Sequence, residues 1–314
     1  MLRDRWGNKV GNRKIICIVQ ARMNSERLPG KVLKPILGIP MAKIVLDRLS
    51  RSKYLDRINN PATIVLATTT NPEDDPLAQM ASAWGYPVFR GDEKNVLQRY
   101  VSCVEYFGGD IVLRVTGDCP LVDPTLIDSL LSTYLAYDYD YMRLDVPNTF
   151  IRGFDGEAFS RDVLLRTYEM VERLSVTGVD SAAPECENCA TYIPPTTSAG
   201  HVALTVSVAP LSQMEPAALL TCTMTTADRL RQYREHVTYF MYKHPEQFRI
   251  HYLEGLPLYS KPYRFCVDTP EDFSLVNSIF EHFNDIYISA NRAVLYVDEN
   301  TSMIAANKDI QQRL

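Results

Sequence analysis

Apolar, strand-like runs alternate with helical patterns through the first half of the chain, and this alternation is what most constrains the fold. Residues 15–19 form a continuous, largely β-branched run, as expected for a strand covered on both faces. The alternation predicts an α/β fold with a doubly wound, mainly parallel sheet, whose ligands bind beyond the carboxyl ends of the strands. The predicted strands are 15–19, 63–68 and 110–115, and the predicted helices are 41–49, 75–84, 95–107 and 124 to about 135.

The pattern changes in the second half of the chain. Residues 161–174 have helical spacing, whereas residues 175–226, rich in Thr, Ser, Pro and Ala, carry no strong helix or strand signal. A stretch of this length is uncommon within a compact domain, so we interpret it as an insertion, a flap or a disordered segment. Further helices are predicted at 233–243 and 270–283, and further strands at 248–253 and 263–267. The predicted organisation is a flexible tail (1–13), a main domain (14–284) carrying the insertion, and a weakly patterned C-terminal tail (285–314).

Composition excludes several classes of function. The formal net charge of -5 argues against a nucleic-acid-binding protein, since binding to the phosphate backbone needs a concentrated basic surface. No apolar run approaches the roughly 20 residues needed to cross a bilayer, and the polar N-terminus has no apolar signal region. Four of the cysteines lie in apolar segments, which predicts buried thiols in a reducing compartment, the cytoplasm; they are Cys17, Cys103, Cys119 and Cys266.

The loop that follows the first strand concentrates positive charge. It carries Arg22, Arg27 and Lys31 together with the hydroxyl of Ser25, and a Pro-Gly turn precedes the lysine. Cations this close repel one another unless an anion lies between them, and Arg and Lys both bind phosphate oxygens. The spacing of a Walker loop is absent, which disfavours a P-loop ATPase. The loop therefore predicts an anion site at the first strand, with a solvated basic loop as the alternative.

Four short motifs follow one another along the chain: ARMNSERLPGKVL (21–33), RVTGDCPL (114–121), REHVT (234–238) and VDTPED (267–272). The set resembles the cytidylyltransferases that activate acidic sugars, such as 3-deoxy-manno-octulosonate and acylneuraminate, and above all the spore-coat-polysaccharide branch. The likeness covers about residues 14–283, apart from 175–226. Four motifs in the same order are far more specific than any one of them.

The resemblance implies a Rossmann-like nucleotide-diphospho-sugar transferase fold with a smaller acceptor and dimerisation subregion, CTP as a substrate and a homodimer. It also implies that Arg22, Ser25, Arg27 and Lys31 bind the triphosphate, with the backbone up to Ala21 near the base. Cytosine preference rests on the resemblance alone, since no residue of this sequence dictates the base.

Two aspartates at predicted strand ends are candidate metal ligands. Asp118 follows the strand 110–115 after a glycine, and Asp268 follows the strand 263–267. Mg²⁺ takes one or two carboxylates together with phosphate oxygens and water. The resemblance assigns both positions to the catalytic Mg²⁺, while the alternatives are an ordinary turn residue for Asp118 and a helix N-cap for Asp268. Asp123, next to Pro124, is interpreted as a cap.

Polar residues between glycines and aromatics, in the segment 152–159, suit recognition of a hydroxylated acceptor. In that interpretation Asp155 and Glu157 bind the acceptor, and a polar strand edge is the alternative. His236 is a weaker candidate, because a lone histidine is more often structural. Two interpretations are open for Arg114: it contacts the acceptor or the phosphates, or it forms an internal ion pair. Asp92, in a loop that resembles the family's loop beside the nucleotide and sugar, binds substrate or caps the next helix.

The stretch 175–226 contains one CxxC pair with a histidine and a cysteine downstream. A zinc site can be drawn from these four residues, Cys186, Cys189, His201 and Cys222. The second pair lacks the usual spacing of zinc ligands, which disfavours the site. The stretch is absent from the family pattern, so the identity of the acceptor stays open.

Taken together, the sequence predicts Mg²⁺-dependent transfer of CMP from CTP to an acidic sugar or related hydroxyl acceptor, with release of pyrophosphate. One alternative is a glycosyltransferase that uses a preformed nucleotide sugar. Residues 138–140 (DYD) have the form of its metal motif but lack an apolar strand ahead of them. A second alternative is a noncatalytic nucleotide-binding scaffold, against which the loop cations and both aspartates argue.

Overall fold

The computed structural model describes residues 13–55, 63–177, 225–307 and 310. The strands are β1 (Ile15–Gln20), β2 (Pro35–Ile36), β3 (Ile39–Pro40), β4 (Ile64–Thr69), β5 (Val88–Gly91), β6 (Ile111–Thr116), β7 (Tyr141–Leu144), β8 (Glu157–Ser160) and β9 (Ile250–Leu253). The helices are α1 (Met41–Leu49), α2 (Asp75–Ala83), α3 (Val96–Phe107), α4 (Pro124–Ala136), α5 (Arg161–Thr177), α6 (Thr226–Glu235), α7 (Tyr239–Lys243), α8 (Pro270–Phe283) and α9 (Ala290–Glu299).

The main sheet has seven strands in the order β5-β4-β1-β6-β8-β7-β9. Strand β8 pairs antiparallel with both β6 and β7, and the other pairings are parallel, so a single strand opposes the rest. Successive residues of β1 face opposite cores: Cys17 and Val19 pack with α1, α4, α8 and α9, whereas Ile16 and Ile18 pack with α3, α5, α6 and α7. The predicted doubly wound, mainly parallel sheet is confirmed.

Most of the predicted elements are present, with small shifts at their ends. Helices α1 and α8 have the predicted bounds. Asp123 caps α4 as predicted, since its carboxylate accepts the backbone N–H groups of Thr125 and Leu126. The four predicted buried cysteines are free thiols in the interior. In the part of the chain that the structure describes, no helix is both long and apolar enough to cross a membrane.

Two predictions about local structure were wrong, and several strands were missed. Residues 264–267 are buried and Tyr263 is half-buried, but the segment does not join the sheet. Its backbone is tied to loops, with Phe265 donating to the carbonyl of Arg152 and Val267 to that of Asp118. A buried apolar run has the same sequence pattern whether or not strands lie beside it, which explains the error. The predicted helix at 233–243 is two helices, α6 and α7, separated at His236. Strands β2, β3, β5, β7 and β8 were not predicted.

A helix near the C-terminus was not predicted either. Helix α9 begins after Ser289, whose side chain caps it, and it lies in the region interpreted as a weakly patterned tail. Its residues Ala290, Ala293, Val294 and Val297 are buried in the core that contains α1, α4 and α8. The division into tail, main domain and insertion otherwise stays a prediction, because residues 1–12 and 178–224 lie outside the described residues.

Docking of α9 can be tested with two adjacent residues. Val294 is fully buried, whereas Leu295 is half exposed. We expect Val294→Ala to lower the free energy of unfolding by about 2 kcal/mol, because it removes buried methyl groups and leaves a cavity. The control Leu295→Ala should change it by less than about 0.5 kcal/mol. Urea denaturation measures both, and equal effects of the two changes would contradict the docking.

Candidate active site

The loop after β1 returns the chain to the carboxyl ends of the parallel strands. The backbone N–H of Ala21 extends the pairing with β4 by donating to Ala67, and Gly30 then closes the loop by donating to Met23 at 2.9 Å. Gly30 has a positive φ of 69°, which favours glycine at this turn. Lys31 follows directly, and its side chain is buried. The Pro-Gly turn noted in the sequence therefore places Lys31 in a buried position at the carboxyl ends of the strands.

The ammonium group of Lys31 is the centre of the site. It donates hydrogen bonds to Asp118 at 3.0 Å, to Asp268 at 2.8 Å and to the backbone carbonyl of Val267 at 2.7 Å. The Lys31 side chain is only 9% exposed. Since an ammonium has three donors, all of its hydrogen-bonding capacity is used. The two aspartates that the sequence singled out thus meet at one cation.

Asp118 is positioned by close packing of the backbone. The residue before it, Gly117, donates to the carbonyl of Gln20 at 2.8 Å. A Cβ atom on Gly117 would lie 2.8 Å from the Cβ of Ala21, so a side chain does not fit there without movement. The carbonyl of Asp118 in turn accepts the N–H of Val267 at 2.8 Å. This bond links the two loops that carry the carboxylates.

Asp268 binds three cations, and it does not cap α8. Besides Lys31, its carboxylate contacts Arg27 at 3.0 Å and Arg264. The cap of α8 is Thr269, which forms a capping box with Asp272. Helix capping therefore leaves the Asp268 side chain available to the site.

Lys31 controls the charge of Asp118. Burial alone would raise the pKa of this carboxyl, but the nearby ammonium and the hydrogen bonds from Thr116 and Lys31 outweigh it and lower the pKa to about 2. The same carboxylates keep the pKa of Lys31 above its ordinary value despite the burial of the ammonium. The centre therefore holds ionised groups across the physiological range.

Two cavities meet at this centre. The larger, about 370 Å³, is lined by the basic loop and by α3, and the smaller, about 240 Å³, lies towards β7 and β8. Both are lined by Arg114, Thr116, Asp118, His236 and Asp268. The larger cavity also contains the predicted phosphate ligands Arg22, Ser25, Arg27 and Lys31 and the predicted base-side residue Ala21. Of these, Arg22 forms an exposed ion pair with Glu93 at 3.3 Å.

The predicted acceptor residues lie mostly in the smaller cavity. Asp155 lines it, and burial raises the pKa of this carboxyl. Glu157 also lines it, but its two oxygens are bound by Arg114 at 2.6 Å and by Thr238 at 2.7 Å. Arg114 thus forms the internal ion pair that the sequence left open. Burial lowers the pKa of His236, at the junction of the cavities, below its ordinary value.

Asp92 lies outside both cavities. It is exposed, and its carboxylate accepts the backbone N–H groups of Lys94 at 2.8 Å and Asn95 at 2.6 Å. The side chain of Asn95 caps α3. Asp92 therefore stabilises the turn ahead of α3, while Asn95 is the helix cap, and a substrate role for Asp92 stays a prediction.

Arg99 belongs to the same stretch as Asp92, which resembles the family's loop beside the nucleotide and sugar, but no role was predicted for it from the sequence. This side chain lies on the buried face of α3, lines the larger cavity and is 2% exposed. Its Nε and Nη1 atoms have no hydrogen-bond partner among the described residues, and the same holds for the buried Oε1 of Gln20, which lines the same cavity. Buried polar atoms are normally paired, so both groups suit a ligand. The signal that the sequence offered for this role was a charged residue among the apolar residues of the buried face of α3.

The DYD motif at 138–140 is separate from the centre. Asp138 and Asp140 both pair with Arg249, and neither lines the cavities described above. The two aspartates of the glycosyltransferase-like motif are therefore neutralised by Arg249, away from Asp118 and Asp268. The cysteines and histidine of the possible zinc site lie outside the described residues.

The chemistry of the centre fits Mg²⁺. Two carboxylates can bind one metal ion only if they lie close together. Asp118 and Asp268 meet this requirement, because both contact the ammonium of Lys31. In the described ranges there is no group of three or more His, Cys, Asp or Glu able to hold a metal. Two carboxylates suffice where phosphate oxygens and water complete the coordination.

The sequence profile of the cytidylyltransferase family matches residues 16–177, just over half of the chain. The chain therefore belongs to the cytidylyltransferase family, a class of nucleotidyltransferases, and the resemblance drawn from the four motifs is confirmed.

Two relatives span nearly the whole chain. An uncharacterised protein of Methanocaldococcus jannaschii is 28% identical over 302 residues, covering 96% of this chain and 97% of the relative. The spore coat polysaccharide biosynthesis protein SpsF of Bacillus subtilis is 26% identical over 290 residues, covering 91% and 95%. A 3-deoxy-manno-octulosonate cytidylyltransferase of Geobacter sulfurreducens is 32% identical over 120 residues, 38% of this chain and 44% of the relative.

Solved structures share the fold. A cytidylyltransferase of Leptospira borgpetersenii superposes with a TM-score of 0.70 at 23% identity, covering 96% of this chain and 100% of that one. The structure of CMP:2-keto-3-deoxy-manno-octonic acid synthetase complexed with CTP superposes with a TM-score of 0.50 at 17% identity, covering 86% and 99%. At these identities the likeness establishes the fold.

The role of Lys31 can be tested by titration. Lys31→Met keeps an apolar stem but removes the charge, so burial of Asp118 loses its main compensation. We expect the pKa of Asp118 to rise from about 2 to above the ordinary aspartate value. Carboxyl ¹³C NMR measures this shift. The control Lys43→Met removes a lysine that pairs with Asp47 in α1; it should leave Asp118 unchanged.

The same change alters the acid stability of the protein. Because the folded-state pKa of Asp118 is depressed, its stabilising contribution is present above about pH 4 and is lost as the pH falls towards 2. In Lys31→Met the folded-state pKa of Asp118 lies above its unfolded-state value, so the sign reverses: this contribution is present below about pH 4 and is lost as the pH rises through the raised pKa. An unchanged titration of Asp118 would contradict the proposed control of its charge by Lys31.

Proposed function

We propose that the protein transfers CMP from CTP to a hydroxyl of an acidic sugar-like acceptor and releases pyrophosphate. The observation that carries this proposal is the meeting of two cavities at Asp118 and Asp268. The larger cavity contains the cations of the first loop, and the smaller is lined by both acidic and basic groups. Family membership gives the reaction class, and the relatives active on 3-deoxy-manno-octulosonate support the acceptor class.

The larger cavity is proposed to bind CTP. Arg22, Arg27 and Lys31 supply three positive charges to the triphosphate, and Ser25 adds a hydroxyl. Arg99 and Gln20 bring unpaired donors and an acceptor to the same cavity. Arg27 and Lys31 exchange carboxylate contacts for phosphate contacts when the nucleotide binds, and they stabilise the charge that develops as pyrophosphate leaves.

Asp118 and Asp268 are the proposed ligands of Mg²⁺. When bound, the ion neutralises phosphate charge and polarises the reacting phosphoryl group. The carboxylates supply hard oxygen ligands of the type that Mg²⁺ prefers.

His236 is the proposed proton acceptor. In the reaction, the acceptor oxygen forms a bond to the α-phosphorus while the bond from that phosphorus to the bridging oxygen of pyrophosphate breaks. The hydroxyl proton passes to a ring nitrogen of His236, which lines both cavities. Burial lowers the pKa of His236, so the ring is neutral and able to accept a proton at neutral pH. A homodimeric assembly and a cytoplasmic location remain predictions.

The reaction is tested by incubating the full chain with Mg²⁺, each of the four nucleoside triphosphates and a panel of acidic and neutral sugars. We expect pyrophosphate release with CTP and an acidic sugar together, because attack on the α-phosphorus requires both substrates. Consumption of a nucleotide sugar without pyrophosphate would favour the glycosyltransferase alternative. No release with any combination would favour the noncatalytic scaffold.

Asp118→Asn keeps the shape of the side chain and removes its charge. We expect it to lower kcat at least about 100-fold, since it removes a group that acts on the reacting phosphates. The control Asp162→Asn changes an exposed carboxylate at the start of α5, outside both cavities. The control should retain wild-type activity, and near-normal activity of Asp118→Asn would refute the role.

The pH dependence tests His236. Because burial lowers the pKa of His236 below its ordinary value of about 6.5, the acidic limb of kcat/KM should have its midpoint below that pH. His236→Gln should lower kcat about 100-fold and remove the acidic limb of the profile. An acidic limb that persists in the variant would assign the titration to another group.

A further inference from the structure

Arg143 on β7 lines the smaller cavity and has an unused hydrogen-bonding capacity. Its Nε atom is buried without a hydrogen-bond partner in the part of the chain that the structure describes. Within the same residues, no carboxylate lies within 4 Å of its guanidinium, in contrast to Arg114 in the same cavity, which pairs with Glu157 at 2.6 Å. Glu157, opposite Arg143 on β8, attracts the guanidinium from a distance, but among the described residues Arg143 forms no ion pair of its own.

Two aromatic rings hold this guanidinium in place. Its central carbon lies 4.9 Å from the ring centroid of Tyr252 on β9 and 5.5 Å from that of Tyr242 on α7. Cation–π contacts of this kind orient a guanidinium through its charge and leave its N–H donors for other partners. Strands β7 and β9 pair directly, with Arg143 opposite Tyr252, so the arrangement is fixed by the sheet.

The carboxylates nearest to Arg143 in the cavity are already bound. Glu157 accepts from Arg114 through Oε1 and from Thr238 through Oε2. Asp155 accepts the backbone N–H of Gly153 at 2.6 Å and lies 3.9 Å from Arg152. An anion that enters the smaller cavity thus finds Arg143 without displacing an internal partner.

We propose that Arg143 binds the anionic group of the acceptor, a carboxylate or a phosphate, and so determines acceptor specificity. The inference rests on the proposed function in one respect, that the smaller cavity receives the acceptor. The planar fork of a guanidinium matches both anions through two parallel hydrogen bonds. The volume, about 240 Å³, lies below the roughly 300–1,000 Å³ of typical ligand pockets and suits one small acceptor.

The test is equilibrium binding by calorimetry, with the full chain and without CTP. The probes are glucose, glucuronate, 3-deoxy-manno-octulosonate and glucose 1-phosphate, which differ in the presence and type of anion. We expect the wild-type protein to bind at least one anionic sugar about tenfold or more tightly than glucose, the gain expected of one charge-assisted pair. The preferred probe identifies the anion as a carboxylate or a phosphate.

Arg143→Gln should abolish this preference, and Arg143→Lys, which keeps the charge without the fork, should restore it only in part. The matched control is Arg292→Gln, because Arg292 also lies over an aromatic ring, Phe283, but outside both cavities. The control should bind the probes like the wild type. Unchanged CTP binding by Arg143→Gln shows that the variant is folded.

Two results would overturn the proposal: wild-type protein that binds the anionic sugars no more tightly than glucose, or Arg143→Gln that retains the full preference. A merely structural role for Arg143 would change stability and leave the ratio of affinities unchanged. Because binding is measured without CTP, it is independent of pyrophosphate release. Failure of the proposed reaction and failure of the proposed specificity are therefore distinguishable.

Discussion

The site depends on one buried cation. The ammonium of Lys31 joins two carboxylates, Asp118 and Asp268, that come from distant parts of the chain. Without a cation between them, two buried carboxylates would repel each other and one would take up a proton. The lysine keeps Asp118 ionised, and in the proposed reaction it releases both carboxylates when a nucleotide and a metal supply other charges. A single interaction thus both stabilises the unliganded site and prepares its groups for substrate.

The fold explains why these groups meet. Strands β1 and β6 are neighbours, so the loops that follow them emerge side by side at the carboxyl ends of the sheet. Close packing of Gly117 against Ala21 brings the two loops into contact. The third loop, which carries Asp268, is tied to the second through the carbonyl of Asp118. Contacts between the backbones of the three loops therefore hold Asp118 and Asp268 near each other.

The sequence was sufficient to predict the strands that alternate with helices and the cations of the first loop, because these are local patterns. It was insufficient where tertiary context decides. Residues 263–267 have the composition of a strand, yet loops lie beside them. Arg143 was not predicted as a site residue and Arg99 had no predicted role of its own, since an unpaired donor is recognised only when the surroundings of each nitrogen are known. Glu157 has the character of a substrate ligand in sequence, but Arg114 and Thr238 occupy its oxygens.

The most direct test of the central claim is a crystal structure of the wild-type protein with Mg²⁺ and a non-hydrolysable CTP analogue. The account predicts the triphosphate in the larger cavity and Mg²⁺ about 2.1 Å from oxygens of Asp118 and Asp268. It also predicts that the ammonium of Lys31 contacts a phosphate oxygen. A nucleotide bound elsewhere, or one bound while Lys31 keeps both carboxylates and no metal contacts them, would contradict the account.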